Sequence, residues 1–189
     1  MKLKIRILYI FSVLALVSFW FMFDIVKVKH NSMSPTYNDG DYLLCMKECF
    51  FSLQEDDVVI FTENRELMIK RIVSVGNKVY KYEDNSFSCR KNIGSVEIVK
   101  EYDLPSKSQI IRGFDELKKY DYFIQRETKK NVVLRNDSFY LGNKKIDEYQ
   151  FKNNFFFLEG DNKSVSYDSR KVGVVSGKYI IGKVICKLW

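Results

Sequence analysis

The chain has little of what several classes of protein require. Its 189 residues include one histidine, two prolines and nine glycines. So few prolines and glycines argue against a disordered or fibrous chain, whereas 46% hydrophobic and 15% aromatic residues are enough to build a core. A single histidine, His30, and the lack of a Cys-x-x-Cys pair argue against a zinc site. The length predicts one domain, or one domain with a small insert.

Cysteines are also few, at four, which is a low density for a disulfide scaffold. On one continuous strand the Cα atoms of Cys45 and Cys49 would lie about 13 Å apart, too far for a disulfide. A turn between them would remove that objection. We expect these two residues, Cys89 and Cys186 to be free or structural.

The net charge is +7. This value suits a nucleic-acid binder, a protein that contacts anionic lipid, or simply a solvated surface rich in lysine. The lysines are spread along the whole chain rather than clustered, which argues against nucleic acid as a partner.

Ile7 to Phe23 is a run of 17 residues without a charge. As a helix it would be about 25 Å long, at the short edge of a membrane span. A cleaved signal peptide is one alternative, but the bulky residues Phe19 to Phe23 do not resemble a cleavage site. A buried helix is another, but the run has no polar face. We therefore expect residues 1–24 to form a cytoplasmic tip and an uncleaved transmembrane anchor.

From Ile25 onward, short runs rich in β-branched and aromatic residues alternate with turns, which predicts strands. One stretch, Phe114 to Tyr120, predicts a short helix. The fold class is mainly β, closed as a barrel or packed as a sandwich. We expect residues 25–189 to form one domain, with a core of about 25–78 and 154–189 and a less regular insert or cap at about 79–153. The predicted strands are 41–45, 57–61, 68–73, 78–82, 131–134, 138–141, 154–158 and 178–186.

Ser32 is the first hydroxyl beyond the apolar run, and it needs a base to become a nucleophile. His30 precedes it by two residues, roughly 7 Å along an extended segment, which is too far for a direct hydrogen bond. A lysine serves as a base only if burial lowers its pKa from about 10.4. Lys70 has the most apolar strand-like setting of any lysine after the anchor, although a snorkelling lysine on an edge strand has the same pattern.

A third segment, Gly160 to Arg170, begins with a tight turn. Asp168 and Arg170 are two residues apart and can face the same side or clamp a loop. The Ser166 hydroxyl could accept a hydrogen bond from a lysine amine and orient it. Taken alone, the segment is equally a polar turn with a surface ion pair.

Together these segments resemble the type I signal peptidases, which are membrane-anchored Ser-Lys proteases. The pattern Ser-Met-x-Pro-Thr is matched in full, and the other boxes follow in the same order over nearly the whole chain. The segments that carry the resemblance are Ser32 to Thr36, Gly40 to Leu44, the weaker Asp56 to Phe61, Ile69 to Val73, Tyr140 to Glu148 and Gly160 to Arg170.

The resemblance implies a serine endopeptidase in which Ser32 is the nucleophile and Lys70 the general base. Ser34, on the family's variable position, is the rival nucleophile. The Ser32 backbone N–H would contribute to the oxyanion hole, and His30 stands where many members have a second, hydroxyl donor. The remaining implied roles are positioning of Lys70 by Ser166, bracing by Asp168 and Arg170, and a small substrate pocket lined by Met33 and Ile69.

The resemblance further implies signal peptides of exported pre-proteins as substrates, bound as extended strands, and membrane lipid as surroundings. It implies no metal, no organic cofactor and no nucleic acid. The resemblance would place the protein in the bacterial plasma membrane, which it would cross once, with its catalytic domain outside the cytoplasm. Three alternatives stay open: a dedicated maturation peptidase of a conjugative-transfer type, a mitochondrial inner-membrane relative, and a non-catalytic membrane-tethered module that binds exported peptides.

Overall fold

A long helix leads directly into a domain of short strands. The computed structural model describes residues 2–47, 52–84 and 98–189. The helices are α1 (Lys2–Met22), α2 (Phe114–Lys119), α3 (Asp121–Thr128) and α4 (Ser169–Val172). The strands are β1 (Phe23–Lys27), β2 (Tyr42–Lys47), β3 (Val58–Glu63), β4 (Glu66–Val75), β5 (Lys78–Asp84), β6 (Ile98–Leu104), β7 (Ile110–Arg112), β8 (Val132–Arg135), β9 (Ser138–Leu141), β10 (Lys144–Ile146), β11 (Glu148–Gln150), β12 (Phe155–Glu159), β13 (Val175–Ser176) and β14 (Ile180–Lys187).

The largest sheet has seven strands in the order β1-β2-β14-β3-β4-β12-β13. Every neighbouring pair is antiparallel, and the strands come from two separate parts of the chain, before residue 76 and after residue 154. The register shifts between Phe157 and Leu158, between Ile180 and Gly182, and between Val184 and Cys186. Such bulges bend strands and increase their twist, so the sheet curves around its two apolar cores.

The two cores of this sheet lie on opposite sides of β3. Val59 and Phe61 pack into one with Ile72 and Leu158, while Val58 and Ile60 pack into the other with Leu43 and Met33. This is the reason β3 is almost continuously apolar rather than alternating. The second core holds Met33 in place, and with it the segment that contains Ser32.

Residues 78–153, as far as described, contain a β5–β6 ribbon, a three-stranded sheet β10-β9-β8 and the pair β11–β7. These elements and α2 and α3 share an aromatic core that includes Phe123, Phe139 and Phe151. Within this region, which the sequence marks as less regular than its flanks, the expected helix at Phe114 to Tyr120 corresponds to α2 and the expected strands 131–134 and 138–141 to β8 and β9. The helix α3 was missed because only Phe123, Ile124 and Glu127 of its eight residues are buried, too few for a clear helical period.

The remaining strand predictions agree with the structure to within a few residues. The predicted run 178–186 divides into a 3-10 turn, Gly177–Tyr179, and β14. Cys45 and Cys186 are free thiols, as expected, and burial raises the pKa of Cys45 to about 12. Cys49 and Cys89 lie outside the described residues.

The helix α1 carries several large apolar side chains that are exposed, among them Tyr9, Phe11, Val17 and Trp20. Among residues 2–47, 52–84 and 98–189, no helix combines the length with the hydropathy that crossing a bilayer requires. The anchor expected over residues 7–23 stays a prediction.

Candidate active site

Ser32 lies in a tight turn that connects the end of β1 to β2. Met33 is 1% exposed, and its packing in the core fixes the turn against the sheet. The backbone N–H of Tyr37 donates to the Met33 carbonyl oxygen at 2.9 Å, which closes the turn. The carbonyl oxygen of Ser32 accepts from the Asn162 N–H at 3.0 Å, so the turn is also tied to the distant loop that begins at Gly160.

Lys70 projects from β4 toward this turn. Its Nζ lies 2.8 Å from Ser32 Oγ and donates to the carbonyl oxygen of Ile69, also at 2.8 Å. On one side Lys70 pairs with Val59 of β3, while β12 pairs with β4 only from Arg71 to Val75. Lys70 therefore stands where β12 diverges from β4, and the residues that precede it have an open edge on that side.

The Lys70 amine is almost completely removed from water, at 4% exposure. Burial lowers its pKa, and the carboxylates of Asp168 and Asp161 oppose this only in part. Both carboxylates are engaged by arginines, Arg170 and Arg71, and Lys70 forms no ion pair within the described chain. The charged form of Lys70 is consequently disfavoured, which is the condition that a lysine base requires.

The loop from Gly160 to Arg170 is held closed by Asp168. This carboxylate is fully buried and accepts hydrogen bonds from the Gly160 N–H at 3.0 Å and from Arg170 Nε and Nη2 at 2.9 and 2.7 Å. Arg170 also donates to the carbonyl oxygen of Lys163 at 3.0 Å. Burial would raise the pKa of Asp168, but the hydrogen bonds from Arg170 and Gly160 hold it below its usual value. The alternative of a surface ion pair is therefore wrong for Asp168, which is fully buried, while Arg170 is half-buried.

Ser166 lies in the same loop and is fully buried. Its Oγ makes no close hydrogen bond in the described structure, although it lies near enough to Asp168 to help lower the pKa of that carboxyl. The expected bond to Lys70 is not formed, and the role of Ser166 in orienting Lys70 stays a proposal. A Cβ atom at Gly160 would come within 2.2 Å of Ser166 Oγ and 2.5 Å of the Ser32 carbonyl oxygen. Only glycine fits at this position, where three backbone segments of the site converge.

Three residues that sequence reasoning did not assign to the site join its parts. Arg71 donates to both carboxylate oxygens of Asp161, at 2.8 and 2.7 Å, and to the Asp56 carbonyl oxygen. Thr36 donates to the same carboxylate at 2.5 Å. The Ser32 turn, β4 and the Gly160 loop are therefore braced by one carboxylate. Strand alternation predicts that Arg71 and Lys70 point to opposite sides of the sheet. Nothing in the sequence indicates that the partner of Arg71 is Asp161, 90 residues later.

Ser32 and Lys70 open onto a groove of about 710 Å³. Its walls are residues 26–30 and 65–70, and Val165 and Tyr167 border it. Met33 and Ile69, the two residues predicted to line a substrate pocket, both contribute to it. Strand backbone makes up residues 26–27 of one wall and 66–70 of the other, so the groove fits an extended peptide better than a compact small molecule.

The two rival residues are directed elsewhere. Ser34 Oγ donates to Asn38 Oδ1 at 2.9 Å. His30 is exposed and has a positive φ of 66°, and its backbone N–H donates to Asp39 Oδ1 at 2.7 Å. Neither the Ser34 hydroxyl nor the His30 imidazole is hydrogen-bonded to Lys70 in the described structure, whereas the Ser32 hydroxyl is.

Replacing Asp168 by asparagine is expected to lower the free energy of unfolding by about 1.5–3 kcal/mol, because the half-buried Arg170 guanidinium would lose its charge partner and its charge-assisted hydrogen bonds. Urea unfolding measures the loss. Glu148→Gln is the matched control, since its pair with Arg112 is exposed on both sides and should contribute about 0–1 kcal/mol.

The same pair predicts a pH dependence. The pKa of Asp168 is lowered in the folded state, so its stabilisation is present above the unfolded pKa of about 3.9 and is lost as pH falls further. The gap in unfolding free energy between wild type and Asp168→Asn should narrow below that pH. A gap that stays constant down to acid pH would contradict the buried ion pair.

The model of the family described as signal peptidase, peptidase S26, matches residues 2–189. Signal peptidase I of Streptococcus pneumoniae serotype 4 is 28% identical over 195 residues, covering 96% of this chain and 89% of that protein. Signal peptidase I V of Bacillus subtilis strain 168 is 24% identical over 161 residues, covering 84% and 81%. The family match extends over the Ser32 turn, Lys70 and the Gly160 loop.

Proposed function

The chain belongs to the signal peptidase family, peptidase S26, and from that premise we propose that it is a serine endopeptidase that removes N-terminal signal peptides from exported pre-proteins. The observation that carries the proposal is the 2.8 Å separation between Lys70 Nζ and Ser32 Oγ, at the base of a groove that accommodates an extended peptide.

In the proposed mechanism Ser32 is the nucleophile and Lys70 the general base. The neutral amine takes the Ser32 proton as Oγ attacks the scissile carbonyl carbon, and the resulting ammonium gives that proton to the leaving amine. Water then hydrolyses the ester that joins Ser32 to the signal peptide, with Lys70 again as base. The Ile69 carbonyl oxygen, which accepts from Nζ, holds the amine in the direction of Ser32.

The tetrahedral intermediate needs hydrogen-bond donors for its oxyanion. The backbone N–H of Ser32 fits that role, because within the described chain it makes no other hydrogen bond while the Ser32 carbonyl is fixed by Asn162. Asp168 and Arg170 support the site by holding the Gly160 loop closed. Ser166 is assigned a positioning role at Lys70, since its hydroxyl is buried beside Gly160 and makes no close hydrogen bond, its interaction with Asp168 being a weak one.

Substrate recognition follows from the groove. The unpaired edge of β4 that precedes Lys70 offers backbone groups to an extended peptide, which is the strand-addition mode of recognition. We assign to Met33 and Ile69 the lining of a pocket for the residue before the cut. Residues 25–78 and 154–189 form the core that carries these groups, and residues 79–153 are an insert.

We assign membrane attachment to α1, in a bacterial plasma membrane with the catalytic domain outside the cytoplasm. Between Tyr9 and Phe21 the helix exposes eight large apolar side chains and no charge among the described residues, and such a helix requires apolar surroundings. The charge-free run is about 25 Å long, a few ångströms less than a bilayer core. Local thinning of the bilayer and snorkelling of the basic residues that precede the run compensate for such a difference.

The direct test uses the purified full chain in detergent with a pre-protein that carries an Ala-x-Ala site. We expect cleavage after that site, identified by the mass and N-terminus of the product. Wild-type protein that retains the pre-protein without cutting it would contradict the endopeptidase and favour a peptide-binding module.

A further inference from the structure

The hairpin of β3 and β4 ends in a two-residue turn, Asn64 and Arg65, at the edge of the groove. Glu63 and Glu66 pair on either side of it. The φ angles of Asn64 and Arg65 are 49° and 71°, as in the type I′ turn that suits the twist of a hairpin. Glycine is the usual second residue of such a turn, because a side chain strains the backbone there. The turn itself therefore gives no reason for an arginine at position 65.

Arg65 lines the same groove as Ser32 and Lys70. It is exposed and forms no ion pair among the described residues. A guanidinium keeps its charge at any pH at which a protein is folded. The groove therefore has a permanent positive charge at this edge, held in place by a tight turn and not neutralised by a neighbouring carboxylate.

The other charged residues of the groove leave it cationic. Lys29 is exposed and has no carboxylate partner in the described chain. Lys27 directs its Nζ over the ring of Tyr42, 5.5 Å from the ring centre. Glu66 is the single acidic residue among the described residues that line the groove. A cleft in which one sign of charge predominates attracts ligands that carry the opposite sign.

The sheet topology shows where Arg65 stands along the groove. Three strands separate β1 from β4, and every neighbouring pair is antiparallel, so β1 and β4 run in the same direction. One wall leads to Ser32 and the other to Lys70. Arg65 is thus at the end of the groove farthest from the reacting groups, four residues or about 13 Å from Ile69.

The substrate binding assigned above converts this distance into a position in the substrate. The residue before the cut occupies the pocket of Met33 and Ile69, and the residues that precede it follow β4 back toward the turn. An extended peptide has nearly the same rise per residue as the strand beside it. The fifth residue before the cut therefore lies beside Arg65.

We propose that Arg65 is a specificity-determining residue that selects substrates with an acidic side chain at the fifth position before the cut. The inference rests on the proposed function and names a substrate class for it. A carboxylate at that position pairs with the guanidinium, whereas a lysine or arginine is repelled by it. Because the pair forms about 13 Å from the reacting atoms, it contributes equally before and during the reaction and should change KM rather than kcat.

The test uses two soluble peptides with an Ala-x-Ala site that differ only in Asp or Lys at the fifth position before the cut. In nonionic detergent at an ionic strength of about 0.01 M, we expect the full chain to cleave the Asp peptide with about fivefold higher kcat/KM. The ratio should approach one at about 1 M, where the Debye length is about 3 Å. The same exchange made five residues after the cut is the matched substrate control.

Substitutions of Arg65 test the assignment to this residue. Arg65→Gln should remove the preference, and Arg65→Glu should invert it in favour of the Lys peptide. Glutamine and glutamate both keep an unbranched side chain at this position, so the strain of the turn is unchanged, and urea unfolding checks that each variant is folded. Arg135→Glu, at an exposed residue of β8 outside the groove lining, makes the same change in net charge and should leave the preference intact.

Equal kcat/KM for the Asp and Lys peptides, or a preference that survives Arg65→Glu, would overturn the proposal. Binding of the same peptides to Ser32→Ala protein, measured by fluorescence anisotropy, should show the same preference in Kd without cleavage. Cleavage without the preference would remove this inference and leave the peptidase in place. Binding with the preference but without cleavage by the wild type would do the reverse.

Discussion

Replacing Ser32 by alanine is expected to lower kcat/KM for a pre-protein by about 10⁴-fold or more, because the residual activity of a serine protease without its nucleophile comes only from binding and oxyanion contacts. The loss should appear in kcat while KM stays nearly constant, since Oγ contributes little to holding an extended peptide. Single-turnover cleavage followed by mass spectrometry measures it. Wild-type enzyme should also yield a covalent acyl adduct on the peptide that contains Ser32.

Ser34→Ala is the matched control for this result. It removes a hydroxyl of the same turn, two residues away, whose hydrogen bond goes to Asn38. Loss of one partly exposed hydrogen bond should lower the free energy of unfolding by about 1 kcal/mol and leave kcat within a few-fold of wild type. Activity that survives Ser32→Ala and disappears with Ser34→Ala would contradict this account and identify Ser34 as the nucleophile.

Replacing Lys70 by methionine is expected to abolish cleavage to a similar extent while preserving the fold. Methionine keeps most of the buried length of the side chain without a basic nitrogen. Lys70→Arg should be inactive as well, because a guanidinium stays charged at any pH at which a protein is folded. An active Lys70→Arg enzyme would exclude a lysine base, since that variant can supply only a positive charge.

The stability of Lys70→Met separates a base from a structural cation. The pKa of Lys70 is lowered in the folded protein, so the unfolded chain binds more protons between that value and about 10.4. In that pH window the free energy of unfolding rises with pH. Below the window the amine is charged in the folded protein as well, and this lowers the free energy of unfolding by about 1.4 kcal/mol per unit of difference between the folded and unfolded pKa. At neutral pH Lys70→Met should therefore unfold at the same urea concentration as wild type, or at a higher one. A clear loss of stability would indicate that Lys70 is a charged structural residue.

The sequence was sufficient to predict the groups of the proposed dyad but not the contacts that hold them. Ser32 and Lys70 stand in motifs whose spacing and apolar setting can be recognised in the chain, and the structure brings them to 2.8 Å. The bracing of the Ser32 turn by Arg71 and Asp161 depends on the register of β4 and on a loop 90 residues later. Nothing local in the chain specifies that pairing.

The same limit applies to the fold. β3 and β9 were predicted well because each is a short β-branched or aromatic run between turns. The helix α3 was missed because its buried residues fill only part of one face, and Glu127 is buried by hydrogen bonds to Tyr149 and Asn153 rather than by hydrophobicity. Ser166 shows the converse. The motif predicts its hydrogen bond to Lys70, yet its hydroxyl makes no close hydrogen bond to any group and lies near the Asp168 carboxylate instead.

The pH dependence of kcat/KM tests the central claim most directly, namely that the Lys70 amine is kept neutral by burial beside Ser32. With an ordinary pKa of about 10.4, fewer than about 1% of the lysines would be neutral at pH 8. The lowered pKa of Lys70 predicts that kcat/KM rises with pH and reaches its plateau well below that value. An activity that follows the titration of an ordinary, solvated lysine would contradict the account.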